Sequence, residues 1–217
     1  MKLLTFEDPK KWLEWKQSVI GGTDANSIME ASPFQSRVEC WAKKMGLLRG
    51  SPPTPQMRRG LALEPRARKE YEKQTGLNMP PICAQRTDID FIGVTLDGFD
   101  QKANRTLEIK CPGRLDHELA MRGEIPIKYK WQLVHICMVT GTPYCDYFSY
   151  SNNGNVIIPF KRDYALEEEL IEAEIDWWQC VLTGTVPGSL GIYDKNQKMF
   201  FENREVFLGL KTKSKED

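Results

Sequence analysis

Hydrophobic and polar positions along this chain change period several times, and each change predicts an element. Pro9 suits a first helical turn, and Trp12, Leu13 and Lys16 follow before Gly21 and Gly22 break the run, which predicts an N-terminal helix. Thr23 or Asp24 then caps a second helix through Ala25, Ile28 and Met29 that stops near Ser32 and Pro33. Val38, Trp41, Ala42 and Met45 recur at helical spacing in a third, from about Ser36 to Leu47, so three short helices precede any sheet. Segment 49–55 holds three prolines and reads as a loop; a long helix from Met57 to about Thr75 follows and ends at Gly76.

Beyond Gly76 the pattern turns β-rich. Strands are predicted at Cys83 to Thr87, Phe91 to Leu96 and Arg105 to Lys110. The second ends in the turn pair Asp97-Gly98 and the third is stopped by Cys111-Pro112-Gly113, which reads as a β-hairpin with acidic residues brought close across it. Helices are expected from about Leu115 to Arg122 and from about Pro126 to Thr140, the latter largely buried through Trp131, Leu133, Val134, Ile136, Cys137 and Val139. Turn residues 151–155 join Tyr144–Tyr150 to Val156–Pro159 in another hairpin, and an acidic helix spans about Tyr164 to Thr183. This order predicts a single α/β domain with a central mixed sheet flanked by helices. Its parts are an N-terminal helical segment 1–50, a core 57–184 and an irregular tail 185–217.

The run Leu107-Glu108-Ile109-Lys110 carries the chemistry. Side chains alternate along a strand, so Glu108 and Lys110 share one face while Leu107 and Ile109 turn into the core. A charged pair beside an apolar core needs a partner, since an uncompensated buried charge costs several kcal/mol. With Asp97 eleven residues before Glu108, two carboxylates and an ammonium can converge on one metal-bound phosphate. The bland alternative is a solvated edge strand with a surface glutamate and lysine.

Composition sets few limits. Thirty basic and thirty acidic residues cancel over 217 residues, and a neutral sum neither supports nor excludes a nucleic-acid partner. The distribution is uneven: Lys102, Arg105, Lys110, Arg114, Arg122, Lys128 and Lys130 gather around the suspected site, while acids crowd the helix after Tyr164. Six cysteines without a C-x-x-C pair, and two histidines, argue for free buried thiols over a structural zinc site. No apolar run approaches the ~20 residues of a membrane span, so a cytosolic protein is expected.

Five separated motifs fall into one order: Gly21-Gly22-Thr23-Asp24-Ala25, Gly60 with Glu64, Asp97-Gly98, Leu107-Glu108-Ile109-Lys110-Cys111-Pro112, and Tyr129 with Gln132. In order and spacing they closely resemble the phage lambda exonuclease and YqaJ-type recombinase group of the PD-(D/E)XK nuclease superfamily, over about Trp12 to Gly184. The resemblance implies a restriction-endonuclease-like core. It makes Asp97 and Glu108 the metal-binding carboxylates, the Ile109 carbonyl a further ligand, and Lys110 the cation that orients or activates water. Hard oxygen ligands favour Mg2+ or Mn2+, with two ions per site. Glu64 resembles the family's helix-borne acid, against the simpler reading of a glutamate paired with Arg68. Gln132 resembles the glutamine that completes the site, and Tyr129 shares its face.

Lys16 and Thr23 match where the family receives a terminal 5′-phosphate, although relatives carry arginine at the first position; lysine keeps the charge and loses the bidentate fork. Trp12 and Met57 resemble positions that contact and separate the duplex end, and both also suit plain core packing. Taken together, the resemblance implies a metal-dependent 5′-to-3′ exonuclease that leaves 3′ single-stranded overhangs for phage-type recombination. It further implies a homotrimer ring around DNA, a single-strand annealing recombinase as partner, and the cytoplasm of a bacterial host with a phage or prophage gene. An endonuclease of the same superfamily and a non-catalytic DNA-binding module are the alternatives.

Overall fold

The computed structural model describes residues 1–152 and 154–190. Most of the expected tail, 185–217, therefore lies outside the described residues, as does Asn153 of the second hairpin turn.

The N-terminal helices form where capping groups meet helical spacing. Helix α1 is Pro9–Ser18, opened by Asp8, whose carboxylate accepts the Lys10 N–H at 2.8 Å. Helix α2 is Gly22–Ile28. Its N-cap is Gly21, not Thr23 or Asp24; Asp24 instead sits in the first turn and accepts the Gly21 N–H at 3.1 Å. Helix α3, Arg37–Lys44, is closed at its start by reciprocal bonds between Ser36 and Glu39. Helix α4, Pro55–Thr75, starts at the Thr54 hydroxyl and ends at Gly76, which takes the left-handed φ of 72°.

Two expectations about the sheet are corrected. A strand, β1 (Lys2–Leu4), precedes all helices; it pairs with β2 (Ile82–Gln85), which pairs in turn with β3 (Gly93–Leu96). Nor is Asp97-Gly98 a hairpin turn. The chain continues in extended form from β3 through Asp97 into β4 (Gly98–Asp100), and β4, not β3, makes the hairpin with β5 (Arg105–Lys110). Gly98 serves close approach: a Cβ there would lie 2.7 Å from Met79 Cβ and 3.1 Å from the Met79 carbonyl. Asp97 thus stands at the junction between the β1-β2-β3 sheet and a second sheet.

That second sheet is mixed. Its order is β4-β5-β6-β7, with β6 (Tyr144–Ser151) parallel to β5 and β7 (Gly154–Lys161) antiparallel to β6. Between β5 and β6 run α5 (Arg114–Met121), a 3-10 turn (Ile127–Tyr129) and α6 (Lys130–Thr140); α7 (Tyr164–Thr183) follows β7. Residues 131–140 of α6 are all buried, packed with α2, α7 and the inner face of the sheets. On the other face, Ala67 and Tyr71 of α4 cover Met79, Leu107, Ile109, Phe148 and Tyr150. Full burial of a Leu107 or a Phe148 stabilises by roughly 1.5–3 kcal/mol each. The result is an α/β domain in which helices flank a mixed sheet.

Candidate active site

Strand β5 presents Glu108 and Lys110 toward α6, as side-chain alternation requires. Glu108 is only 2% exposed. Its Oε1 accepts from Lys110 Nζ at 2.5 Å and from Gln132 Nε2 at 2.7 Å, while its Oε2 is buried without a hydrogen-bond partner. Gln132 also accepts from Lys110 Nζ at 3.0 Å through its Oε1, so the amide locks glutamate and lysine together. The backbone-satisfied amide is thereby excluded for Gln132. Its own N–H is held by Asn26 Oδ1 at 3.3 Å, and Gly22 leaves room for it: a Cβ there would meet Gln132 Cγ at 3.1 Å.

Asp97 reaches the same place from the sheet junction. Its Oδ2 accepts the Ile109 N–H at 2.8 Å. The last paired residue of β4 is Gly98, opposite Leu107, so the β5 edge beyond it is free of β4. In a strand the N–H and C=O of one residue aim at the same edge, which turns the Ile109 carbonyl toward Asp97 as well. Burial raises the Asp97 pKa well above the carboxylate range, and Glu108 adds to the shift against the opposing pull of Lys110. Lys110 loses stability as a cation through burial, but Glu108 and Asp97 outweigh that and raise its pKa. It is held as an ammonium.

Glu64 stands at the rim. It pairs with Arg68 at 2.5 Å, the simple i,i+4 arrangement, yet Arg68 Nε also donates to the Asp97 carbonyl at 2.6 Å, and the Glu64 charge contributes to the raised Asp97 pKa. Both readings of Glu64 are therefore present in one geometry. Tyr129 covers Lys110, whose Nζ lies 5.0 Å from the ring centroid. Arg105, counted among the basic residues near the site, is turned to the opposite face, where it holds Asp146.

The other predicted residues lie apart from this cluster. Lys16 and Thr23 are both exposed, on the last turn of α1 and the first of α2, and no hydrogen bond joins them. Lys16 Nζ rests 4.9 Å from the centroid of the Trp12 ring. Trp12 is half-buried and lines a cleft with Leu4, Thr5, Phe6, Pro81, Ile82, Cys83 and Thr95. Met57, far from core packing, is 58% exposed on the first turn of α4. Sequence reasoning missed Asn26 and Lys44. Lys44 Nζ binds the Val19 carbonyl at 2.7 Å and Asp24 at 2.9 Å, tying α1 to α2, and no sequence pattern signals it.

The donor set suits a divalent cation. Two carboxylates and a strand carbonyl meet at one edge, and the buried Glu108 Oε2 lacks any partner among the described residues. No group of three or more His, Cys, Asp or Glu side chains is placed for a metal among the described residues, so main-chain and substrate oxygens would complete any coordination.

Comparison with known proteins decides the family. The model of the YqaJ-like viral recombinase domain matches residues 11–143, more than half of the chain. The chain belongs to the YqaJ-like viral recombinase family. The uncharacterized protein YqaJ of Bacillus subtilis (strain 168) is 27% identical over 184 residues, which is 82% of this chain. The chain spans 58% of the length of that relative. Among solved structures, the alkaline exonuclease LHK-Exo from Laribacter hongkongensis superposes with a TM-score of 0.70 at 19% identity, over 91% of this chain and 99% of that one. A phage-related exonuclease from Haemophilus somnus 129PT gives 0.54 at 13% identity, over 76% and 96%. The fold of this YqaJ-family chain is accordingly that of the alkaline exonucleases, with the PD-(D/E)XK core.

The described residues contain no helix long and apolar enough to cross a membrane. All six cysteines are free, with Cys40, Cys83, Cys137 and Cys145 buried.

Proposed function

We propose that this chain is a metal-dependent 5′-to-3′ exonuclease that digests one strand of double-stranded DNA and leaves 3′ single-stranded overhangs. The observation that carries the reading is the convergence of Asp97, Glu108 and Lys110 under Gln132, with one buried Glu108 oxygen unpartnered. Asp97, Glu108 and the Ile109 carbonyl would hold Mg2+ or Mn2+, two ions in the full reading, and the metal would polarise a phosphoryl oxygen and acidify bound water. Lys110, fixed as an ammonium, faces the charge that develops on the phosphorus oxygens; as a cation it stabilises rather than abstracts a proton. Gln132 keeps Glu108 and Lys110 in register, and Glu64 adds negative charge near Asp97.

Lys16 and Thr23 receive the terminal 5′-phosphate, and Trp12, Met57 and Tyr129 contact the duplex. The nuclease domain comprises residues 57–184 with the helical segment 1–50 attached. Family membership supports a homotrimer ring around DNA, partnership with a single-strand annealing recombinase, and action in the cytoplasm of a bacterial host. Digestion of linear duplexes with 5′-phosphate or 5′-hydroxyl ends, beside closed circles, tests the reading. Mg2+-dependent, EDTA-sensitive loss of linear duplex from its 5′ ends is expected; cleavage of closed circles would establish an endonuclease instead. No cleavage in any metal would leave the DNA-binding module.

A further inference from the structure

An aromatic ring that neither core nor active site uses stands at the mouth of the site. Phe34, in the loop between α2 and α3, is 77% exposed. The loop is built: Ser32 Oγ accepts the N–H of Phe34 at 3.2 Å and that of Gln35 at 3.3 Å. Lys128 Nζ lies 5.3 Å from the Phe34 centroid and also 5.3 Å from that of Tyr129. Asp116 anchors the same ammonium at 2.6 Å, and the Lys128 side chain is 21% exposed. Tyr129 in turn covers Lys110 at 5.0 Å.

A ladder of alternating cations and rings thus begins at the site ammonium and ends on a ring with a face open to solvent. The three contacts from Lys110 to Phe34 measure 5.0, 5.3 and 5.3 Å. That span covers only a few base steps, each about 3.4 Å along a strand. Leaving so large an apolar ring in water is unfavourable unless a partner covers it, and an ammonium fixed behind the ring selects an occupant with both a π face and negative charge. A nucleotide has both.

We propose that Phe34 is a substrate-positioning residue: it stacks on a nucleobase within a few nucleotides of the scissile phosphate, while Lys128 steadies the ring and attracts the adjoining backbone. The inference rests on the nuclease reading and adds to it a stacking platform outside the metal site and the 5′-phosphate receptor.

The test uses the full chain, in EDTA to prevent cleavage, with short duplexes carrying 2-aminopurine in the end-proximal positions. Wild type should quench the probe on binding; Phe34→Ala should lose the quenching and bind about 5- to 100-fold more weakly, the range for loss of one base stack. Phe34→Trp should retain both. A duplex with abasic end-proximal positions should bind wild type and Phe34→Ala alike. Equal affinity of wild type and Phe34→Ala for the normal duplex would overturn the proposal and leave the nuclease reading standing. An equal loss on the abasic duplex would overturn it as well, by making the effect electrostatic or structural. So would a change of oligomeric mass in light scattering with DNA binding intact, which would make Phe34 a contact between copies. A wild type that binds no duplex end and cleaves none would bring down the nuclease reading itself, and this inference with it.

Discussion

The two faces of the β5–β6 strand pair each carry a buried carboxylate, and the two are satisfied very differently. On the α4 side, Asp146 is 2% exposed and receives both prongs of Arg105, at 2.7 and 2.6 Å, and the Tyr71 hydroxyl. Every oxygen has a donor. On the α6 side, Glu108 is equally buried, yet both of its donors fall on one oxygen and the other has none. Desolvation penalises both carboxylates, but only the Asp146 cluster is completed within the chain. The fold closes one polar cluster to bind α4 to the sheet and leaves the other open for an external cation or reactant.

The largest expected effect separates the faces by activity. Asp97→Asn, Glu108→Gln or Lys110→Ala should lower kcat for duplex digestion by about 100-fold or more, equivalent to roughly 3 kcal/mol of transition-state stabilisation, with thermal unfolding close to wild type. A folded variant with near wild-type turnover would remove that residue from the chemistry. On the opposite face the pattern should reverse. Asp146→Ala leaves Arg105 and Tyr71 without their acceptor and should cost about 2–4 kcal/mol in urea unfolding, while turnover per folded molecule changes by only a fewfold. A stable but inactive Asp146→Ala would erase the distinction between the faces.

A third buried cluster sharpens it through pH. His135 on α6 and Glu174 on α7 are fully buried and 2.7 Å apart, and the other ring nitrogen of His135 lies 2.9 Å from the Gly93 carbonyl on β3. Burial lowers the His135 pKa, but Glu174 and Gly93 outweigh it and the net shift is upward. A histidine whose folded pKa is raised contributes stability that is fully present below the unfolded value of about 6.5 and is lost as pH rises through the folded value. Urea midpoints of wild type should therefore fall on that alkaline limb relative to His135→Gln. Parallel curves for the two proteins would show that the pair titrates alike folded and unfolded.

The smallest effect concerns the duplex end. Lys16→Ala should slow digestion of 5′-phosphorylated ends a fewfold more than that of 5′-hydroxyl ends, because only the phosphate offers the dianion that the lysine would hold. Equal slowing of both substrates would reduce Lys16 to general electrostatics.

Much of this architecture was legible in the linear pattern. Helices α1, α4 and α7 follow from spacing, proline at the start and glycine at the end, all properties of residues within a few positions of one another. The motif around Glu108 and Lys110 was legible for the same reason: strand alternation assigns their shared face before any partner is known. Strand β1 was hidden because its three residues acquire meaning only from β2, some eighty residues later. Asp97-Gly98 was misread as a turn since glycine serves either a turn or a close approach, and Met79, the neighbour that decides between them, is distant in sequence. Arg105 and Lys110 looked alike as basic residues near the site, and only the sheet sends them to opposite faces. By itself the sequence determined the local elements and the residue types able to perform phosphoryl chemistry, because propensity, capping and alternation are short-range effects. Tertiary structure alone decided which carboxylate is completed by neighbours and which is left with an open oxygen, because hydrogen-bond satisfaction in a buried site depends on residues that meet only when the chain has folded.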